Sequence, residues 1–488
     1  MALRINSKQH VCDTARKTRS RQGWFWRAIV AAVAPAVLSA QSPASFTPRS
    51  DFVSQAAAYM KGRASLREFT FSGAILVVHE GRVLYREAFG LADREYGIPN
   101  TIETRFRTGS AGKQFTAAAI LLLEDRGKLK VTDPVSKYLP EWPQAWSAMT
   151  IHHLLSHTGG LPRLTTEGLA DVSGLSAAAP KPFAKFSDLL KSREELQPPD
   201  FEPGTKWAYS NVGYLILGMI VEKASGAPYA DFMREQVFDP IGMRNTRVDD
   251  PNALVPARAR GYRRAPDGGY SNAIFVDPRF VASAGGFHST VDDLLIWNNV
   301  LDSDRLLSHA ARSKLFSVVR DGYGYGWFIG RTFDRETQWH RGNIPGFVSI
   351  IVRYPHERIT FIVMSNTDRT PVLSIANELA AIAFREPYET PRDRVEVPLT
   401  SVPAELYLGQ YRKVGQPDET FRLVRDGTEL RVEIPKYSAS FTVVPESADS
   451  FFARSIEFSL RFVRTAQGGV AHVLVRNNGE TTRWDKTD

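Results

Sequence analysis

Hydrophobic and polar positions change period several times along the chain, and each change marks an element. Asp51–Gly62 carries the spacing of a short helix. Phe71–Gly90 alternates with a period of two around Glu80-Gly81, which is the pattern of a β-hairpin. From Ser110 to Arg126 the apolar positions Phe115, Ala119, Leu122 and Leu123 follow helical spacing, and Gly127 is placed to end the helix. Residues 150–250 read mostly as helix, interrupted by a Pro/Ala/Ser-rich stretch from Arg163 to Pro203. A loop of that length usually has a job, and covering a cleft is one such job. Tyr323–Ile329, Gly346–Tyr354 and Ile359–Ser365 are β-rich runs in close succession, and Pro371–Phe384 returns to helical spacing. Strands therefore sit at both ends of a region whose middle is helical. The economical packing is an α+β arrangement over residues 55–386. One antiparallel sheet is assembled from both ends and flanked by helices, with a helical subdomain inserted and a cleft between the layers.

Beyond that region, Pro387, Pro391, Pro398 and Pro403 punctuate a linker assigned to residues 387–400. Residues 401–488 then repeat short alternating runs, with turn signals at Asp426-Gly427, Gly468-Gly469 and Asn478-Gly479. This predicts a small antiparallel β-barrel or sandwich as an accessory domain.

Charge changes the picture only at the start. The formal net charge is +8, but residues 1–40 hold seven basic side chains against Asp13, so the rest of the chain is only +2. No polybasic stripe remains there to bind nucleic acid. The basic start precedes the apolar run Ala28–Leu38 and then Ser39-Ala40-Gln41, the layout of a secretory signal cleaved near Ala40. That run is short for a bilayer span, so no stable transmembrane segment is expected after cleavage; an uncleaved anchor is the lesser alternative. Residues 41–54 would form a tether. The chain's one cysteine, Cys12, would leave with the signal, which excludes disulfides and cysteine-bound metal from an exported, periplasmic or secreted product.

The candidate chemistry begins at Ser110-Ala111-Gly112-Lys113. A serine and a lysine three residues apart on a helix share one face, so the amine reaches the hydroxyl. Such a motif arises about once by chance in a chain this long. Its place at the mouth of an apolar helix improves the odds. Burial and the helix dipole disfavour the ammonium form, and a neutral lysine can take the serine proton. Tyr209-Ser210-Asn211 adds a phenol able to hold a proton and an amide able to bind a substrate amide. His340-Arg341-Gly342-Asn343 opens a strand segment in which a glycine lets a substrate backbone come close, and the amides of Asn343 and Ser110 can pair as an oxyanion hole. Two look-alikes are set aside. His157-Thr158-Gly159 precedes Tyr209 and closes a helix, which is the wrong place for the third box. Thr108–Gly112 nearly spells a nucleophile elbow but lacks its first glycine. His152 and His153 read as packing or capping residues, because no carboxylate cluster accompanies them.

The order of these three boxes resembles the serine β-lactamase and penicillin-binding protein superfamily. The similar branch holds class C β-lactamases, D-alanyl-D-alanine carboxypeptidases, D-aminopeptidases and related esterases. Arg105–Phe115, Lys128–Pro140, Ile151–Pro162, Pro240–Thr246 and Ala284-Gly285-Gly286 are also similar, so the likeness covers about residues 55–385. The resemblance implies an acyl-enzyme serine hydrolase without cofactor or metal. In it Ser110 is the nucleophile, Lys113 its base and Tyr209 a proton shuttle. Asn211, His340, Arg341, Gly342 and Asn343 bind substrate or form the oxyanion hole.

Efficient β-lactamases of the family usually carry lysine where this chain has His340, and a neutral histidine holds a drug's carboxylate less well. Arg341 either clamps a carboxylate or points to the other face of its strand. The expected substrate is a small ester or a D-amino-acid peptide. A D-alanyl-D-alanine carboxypeptidase or weak β-lactamase is the alternative within enzymes. A catalytically inactive penicillin-binding sensor or scaffold is the alternative outside them.

Overall fold

The computed structural model describes residues 46–487 apart from Glu68, Glu141, 162–198, 266–268 and Ser438. The expected signal, the first part of the tether and most of the Arg163–Pro203 stretch lie outside the described residues.

Helix α1 (Phe52–Ala64) buries Phe52, Ala56 and Met60 in the core, so folded structure begins inside the stretch expected to be a tether. Strands β1 (Gly73–His79) and β2 (Arg82–Phe89) form the expected hairpin. Its turn residues Glu80 and Gly81 have φ of 51° and 74°, the left-handed pair that matches the twist of the strands.

Four later strands complete the sheet: β3 (Phe328–Thr332), β4 (Arg335–Ile344), β5 (Phe347–Tyr354) and β6 (Ile359–Ser365). The order is β3-β4-β5-β6-β1-β2, antiparallel throughout, so the first strands pair with the last as the pattern requires. β5 and β6 are buried on both faces, which explains why they read as continuous apolar runs rather than alternating ones. One face packs against α1 and α7 (Val372–Phe384) through Val348, Ile350, Ile375 and Leu379. The other face packs against the helical layer.

That layer contains α2 (Lys113–Asp125), α3 (Ile151–Leu155), α4 (Asn211–Ser225), α5 (Val291–Val300) and α6 (His309–Phe316). In α2 eleven of thirteen residues are buried, and Phe115 meets Phe238, Phe287 and Trp297 edge-on. His153 closes a capping box on Thr150 at the start of α3, while His152 Nδ1 lies 2.5 Å from the Tyr325 hydroxyl. Met233–Phe238 is a turn of π-helix, which no period in the sequence announced.

The C-terminal unit is a closed barrel of eight antiparallel strands, from β7 (Gly409–Lys413) to β14 (Glu480–Lys486). Tyr407, Tyr411, Leu423, Phe451 and Phe462 pack within its core. The proline-punctuated segment before it is pinned rather than free. Arg394 pairs with Glu389 at 3.0 Å and Glu446 at 2.7 Å, and the Val397 amide donates to the Pro445 carbonyl.

Candidate active site

The nucleophile segment is built by two close approaches of backbone. Phe106–Arg107 pairs with Phe287–Ser289, and the Thr108 amide donates to the Phe287 carbonyl at 2.9 Å. Buried Asp249 anchors this strand, accepting from Arg107 Nε at 2.8 Å and Arg258 Nη2 at 2.6 Å. The chain then turns at Gly109 (φ 53°), where a Cβ would lie 2.7 Å from the Asn343 amide nitrogen. A 3₁₀ turn over Gly109–Gly112 follows, and α2 starts only at Lys113. Ser110 therefore sits on the turn that feeds the helix, not in its first α-helical turn.

A Cβ on Gly342 would fall 1.8 Å from the Thr108 carbonyl oxygen, which also accepts from Ser349 Oγ at 2.6 Å. The missing side chain of Gly342 admits the nucleophile turn.

Lys113 is fully buried, and its Nζ has three oxygen neighbours. Ser110 Oγ lies at 3.0 Å, Asn211 Oδ1 at 2.8 Å and the Ala284 carbonyl at 2.6 Å. Burial alone drives its pKa well below the ordinary lysine value. Asn211 reaches this amine because it is the first residue of α4, whose N-cap Ser210 accepts from the Gly213 amide. Tyr209 precedes them with its hydroxyl sealed from solvent. Burial raises the Tyr209 pKa, and Ser110 is the side chain near enough to ease that shift. The Lys113 amine lies 4.9 Å from the Tyr209 ring centre.

His340 is buried on β4, well inside the strand rather than at its opening. Its Nδ1–H donates to the Arg341 carbonyl at 2.8 Å, leaving Nε2 to accept from the Tyr323 hydroxyl at 3.1 Å. Burial first, and the nearby Lys113 second, push its pKa down to about 3. Alternation along β4 decides the position of Arg341. His340 and Gly342 face the nucleophile turn. Arg341 and Asn343 stand opposite Ile350 and Val348, residues of the α1/α7 face. The expected carboxylate clamp therefore projects away from Ser110.

β3 pairs with β4 only as far as Trp339, so from His340 onward the outer side of β4 has no strand beside it among the described residues. Asn343 and Ile344 instead border a cavity of about 790 Å³ together with Gly109, Ser110 and Asn211. Six of the other seven candidate residues thus gather around Ser110 by backbone or side chain, and Arg341 is the exception.

Two neighbours of the site were passed over in the sequence. Tyr323 fixes His340, and His157, set aside as part of a misplaced box, packs its ring 4.3 Å from that of Tyr209. A positive φ of 59° at a non-glycine residue marks His157, but no sequence pattern carries that signal.

The fold and the grouped serine, lysine and tyrosine are those of a β-lactamase-like protein. Residues 63–384 match the family described as Beta-lactamase, and the chain belongs to that family. It is 30% identical over 434 residues to "Penicillin-binding protein 4*" of Bacillus subtilis (strain 168), covering 84% of this chain and 94% of that protein. It is 32% identical over 298 residues to "Esterase EstB" of Burkholderia gladioli, covering 54% of this chain and 76% of that one. Among solved structures, the octameric penicillin-binding protein homologue from Pyrococcus abyssi superposes with a TM-score of 0.65 at 22% identity. That match covers 89% of this chain and all of the other, and it speaks for the fold.

Proposed function

We propose that this chain is an exported serine hydrolase that cleaves small esters or D-amino-acid amides through an acyl-enzyme on Ser110. The observation that carries the reading is the set of neighbours around Lys113. A neutral amine has two hydrogens and one lone pair. Asn211 Oδ1 and the Ala284 carbonyl accept the two hydrogens, so the lone pair is left for the Ser110 hydroxyl, 3.0 Å away. Lys113 is then the base that takes the serine proton as Oγ attacks the carbonyl carbon. Tyr209, whose pKa is raised, stays a phenol and relays that proton to the departing oxygen or nitrogen. The amides of Ser110 and Asn343 stabilise the oxyanion, a role supported by the cavity both residues border. Water repeats the sequence on the acyl-enzyme, restoring Ser110.

Esters and amides are favoured over β-lactams by His340. With a pKa near 3 the imidazole is uncharged across the physiological range, and Arg341 faces away, so no cation on this strand holds a drug's carboxylate. Export rests on the signal-like start. Among the described residues no helix is long and apolar enough to cross a membrane.

Ser110→Ala is expected to abolish turnover of p-nitrophenyl acetate and covalent labelling by a fluorophosphonate probe. Unchanged turnover in that variant would falsify the proposal. Comparing the ester with nitrocefin and a D-Ala-D-Ala peptide then ranks the substrate classes.

A further inference from the structure

We propose that His157 is a positioning residue for the reaction, holding the Tyr209–Asn211 segment in register with Ser110 and Lys113. The inference rests on the acyl-enzyme reading above and adds a residue that does not touch the reacting atoms. His157 grips the segment on both sides of the tyrosine. Its carbonyl accepts from the Ala208 amide at 2.9 Å, and its Nδ1 accepts from the Ser210 amide at 3.2 Å. Between those anchors the imidazole lies against the Tyr209 ring, with centroids 4.3 Å apart and planes at 41°. Ser210 in turn caps α4, whose first residue is Asn211. One residue therefore sets the phenol that relays the proton and the amide oxygen that binds the lysine amine.

Two local costs argue that packing alone did not select this histidine. Its φ of 59° is a left-handed conformation that strains a residue with a Cβ. Its Nε2 is buried without a hydrogen-bond partner among the described residues, a further cost. An apolar side chain would fill the same space without the second cost, but it would give the Ser210 amide no acceptor. Strain kept beside a reacting centre points to a role there.

The imidazole has to stay uncharged for Nδ1 to accept. Tyr209, Tyr214 and Tyr323 face it with rings 4.3, 5.1 and 4.7 Å away, and Trp207 meets it edge-on at 6.1 Å. Burial is the main force against an imidazolium there, and a charge on either nearby basic group, Lys113 or His340, would add to it. No carboxylate contributes there to favour the imidazolium.

The test compares His157→Gly with His157→Asn. Both accept the left-handed backbone, but only asparagine offers an oxygen near the place of Nδ1. Turnover of p-nitrophenyl acetate is referred to sites titrated by the fluorophosphonate, so unfolded molecules do not count. The glycine variant is expected to lose about a hundredfold in kcat with little change in KM, as a small displacement of a reacting group does. The asparagine variant is expected to recover most of that loss. Equal kcat in the two variants overturns the proposal. Nitrogen NMR of the otherwise unaltered protein gives a second reading that needs no variant. His157 should keep a bare Nδ1 and a protonated Nε2 from pH 5 to 9, and titration within that range overturns the proposal equally. Loss of the acyl-enzyme reading looks different, because labelling would then survive Ser110→Ala.

Discussion

At the scale of the residue, the proposed base and acid are told apart by what burial does to each group. Lys113 and Tyr209 place their polar ends in one buried pocket, and burial moves their pKa values in opposite directions, the amine down and the phenol up. The amine is thereby free to accept a proton at neutral pH and the phenol keeps its own. Activity is expected to rise with pH along an acid limb set by Lys113, far below the ordinary lysine range. His340 titrates near 3, so it does not set that limb. His340→Gln should leave the limb where it is, which pH profiles of kcat/KM will check. A limb that moves with His340 would transfer the base role away from Lys113. Tyr209→Phe should lower kcat about 10²–10⁴-fold while Ser110 remains open to the phosphonate, since only proton relay is lost.

At the scale of the element, legibility followed period and burial. The hairpin and α2 were readable because each buries apolar residues at one repeat, and the runs of β5 and β6 because both faces are covered. β4 was readable only as a short segment. Its residues Arg335–Asn343 are mostly polar, since one side of the strand borders the cavity and its pairing with β3 stops at Trp339. The chemistry of Ser110, Lys113 and Tyr209 could be ordered along the chain, yet their distances could not. His157 was dismissed because its motif precedes Tyr209 and closes a helix, although the fold brings it back against Tyr209. Gly342 was read as room for a ligand, and the fold also sets against it the Thr108 carbonyl, 241 residues from the Ser349 that also bonds to it. The rigidity of α2 gives a direct test. Phe115 fills the junction of Phe238, Phe287 and Trp297, so Phe115→Ala should cost about 3–5 kcal/mol in chemical denaturation. Activity per titrated site should fall too, because the same helix carries Lys113.

At the scale of the whole molecule, the barrel is joined to the helix-and-sheet body by buried charge. Glu378 on α7 accepts from Arg476 of the barrel and from the Glu389 amide at 3.2 Å, and Arg476 also meets Glu389 at 3.2 Å. Tyr59, Arg63 and Glu457 stand around the same contact, and Arg63 pairs with Glu457. Burial outweighs the attraction of Arg476 and raises the Glu378 pKa to about 7 from an ordinary 4.5. Between those values the folded chain keeps a proton that the unfolded chain releases. The resulting stability is present in full below the unfolded pKa and is lost as pH rises to the folded one. The loss is on the order of 3 kcal/mol at 1.36 kcal/mol per unit. Glu378→Gln keeps an oxygen for the Glu389 amide, leaves Arg476 its bond to Glu389, and cannot titrate. Denaturation at pH 5 and pH 8 should therefore show the parent protein losing more stability than this variant. Equal losses would mean that Arg476 keeps Glu378 ionised throughout. The join would then be a fixed ion pair, and the barrel would stay docked with the same strength at either pH.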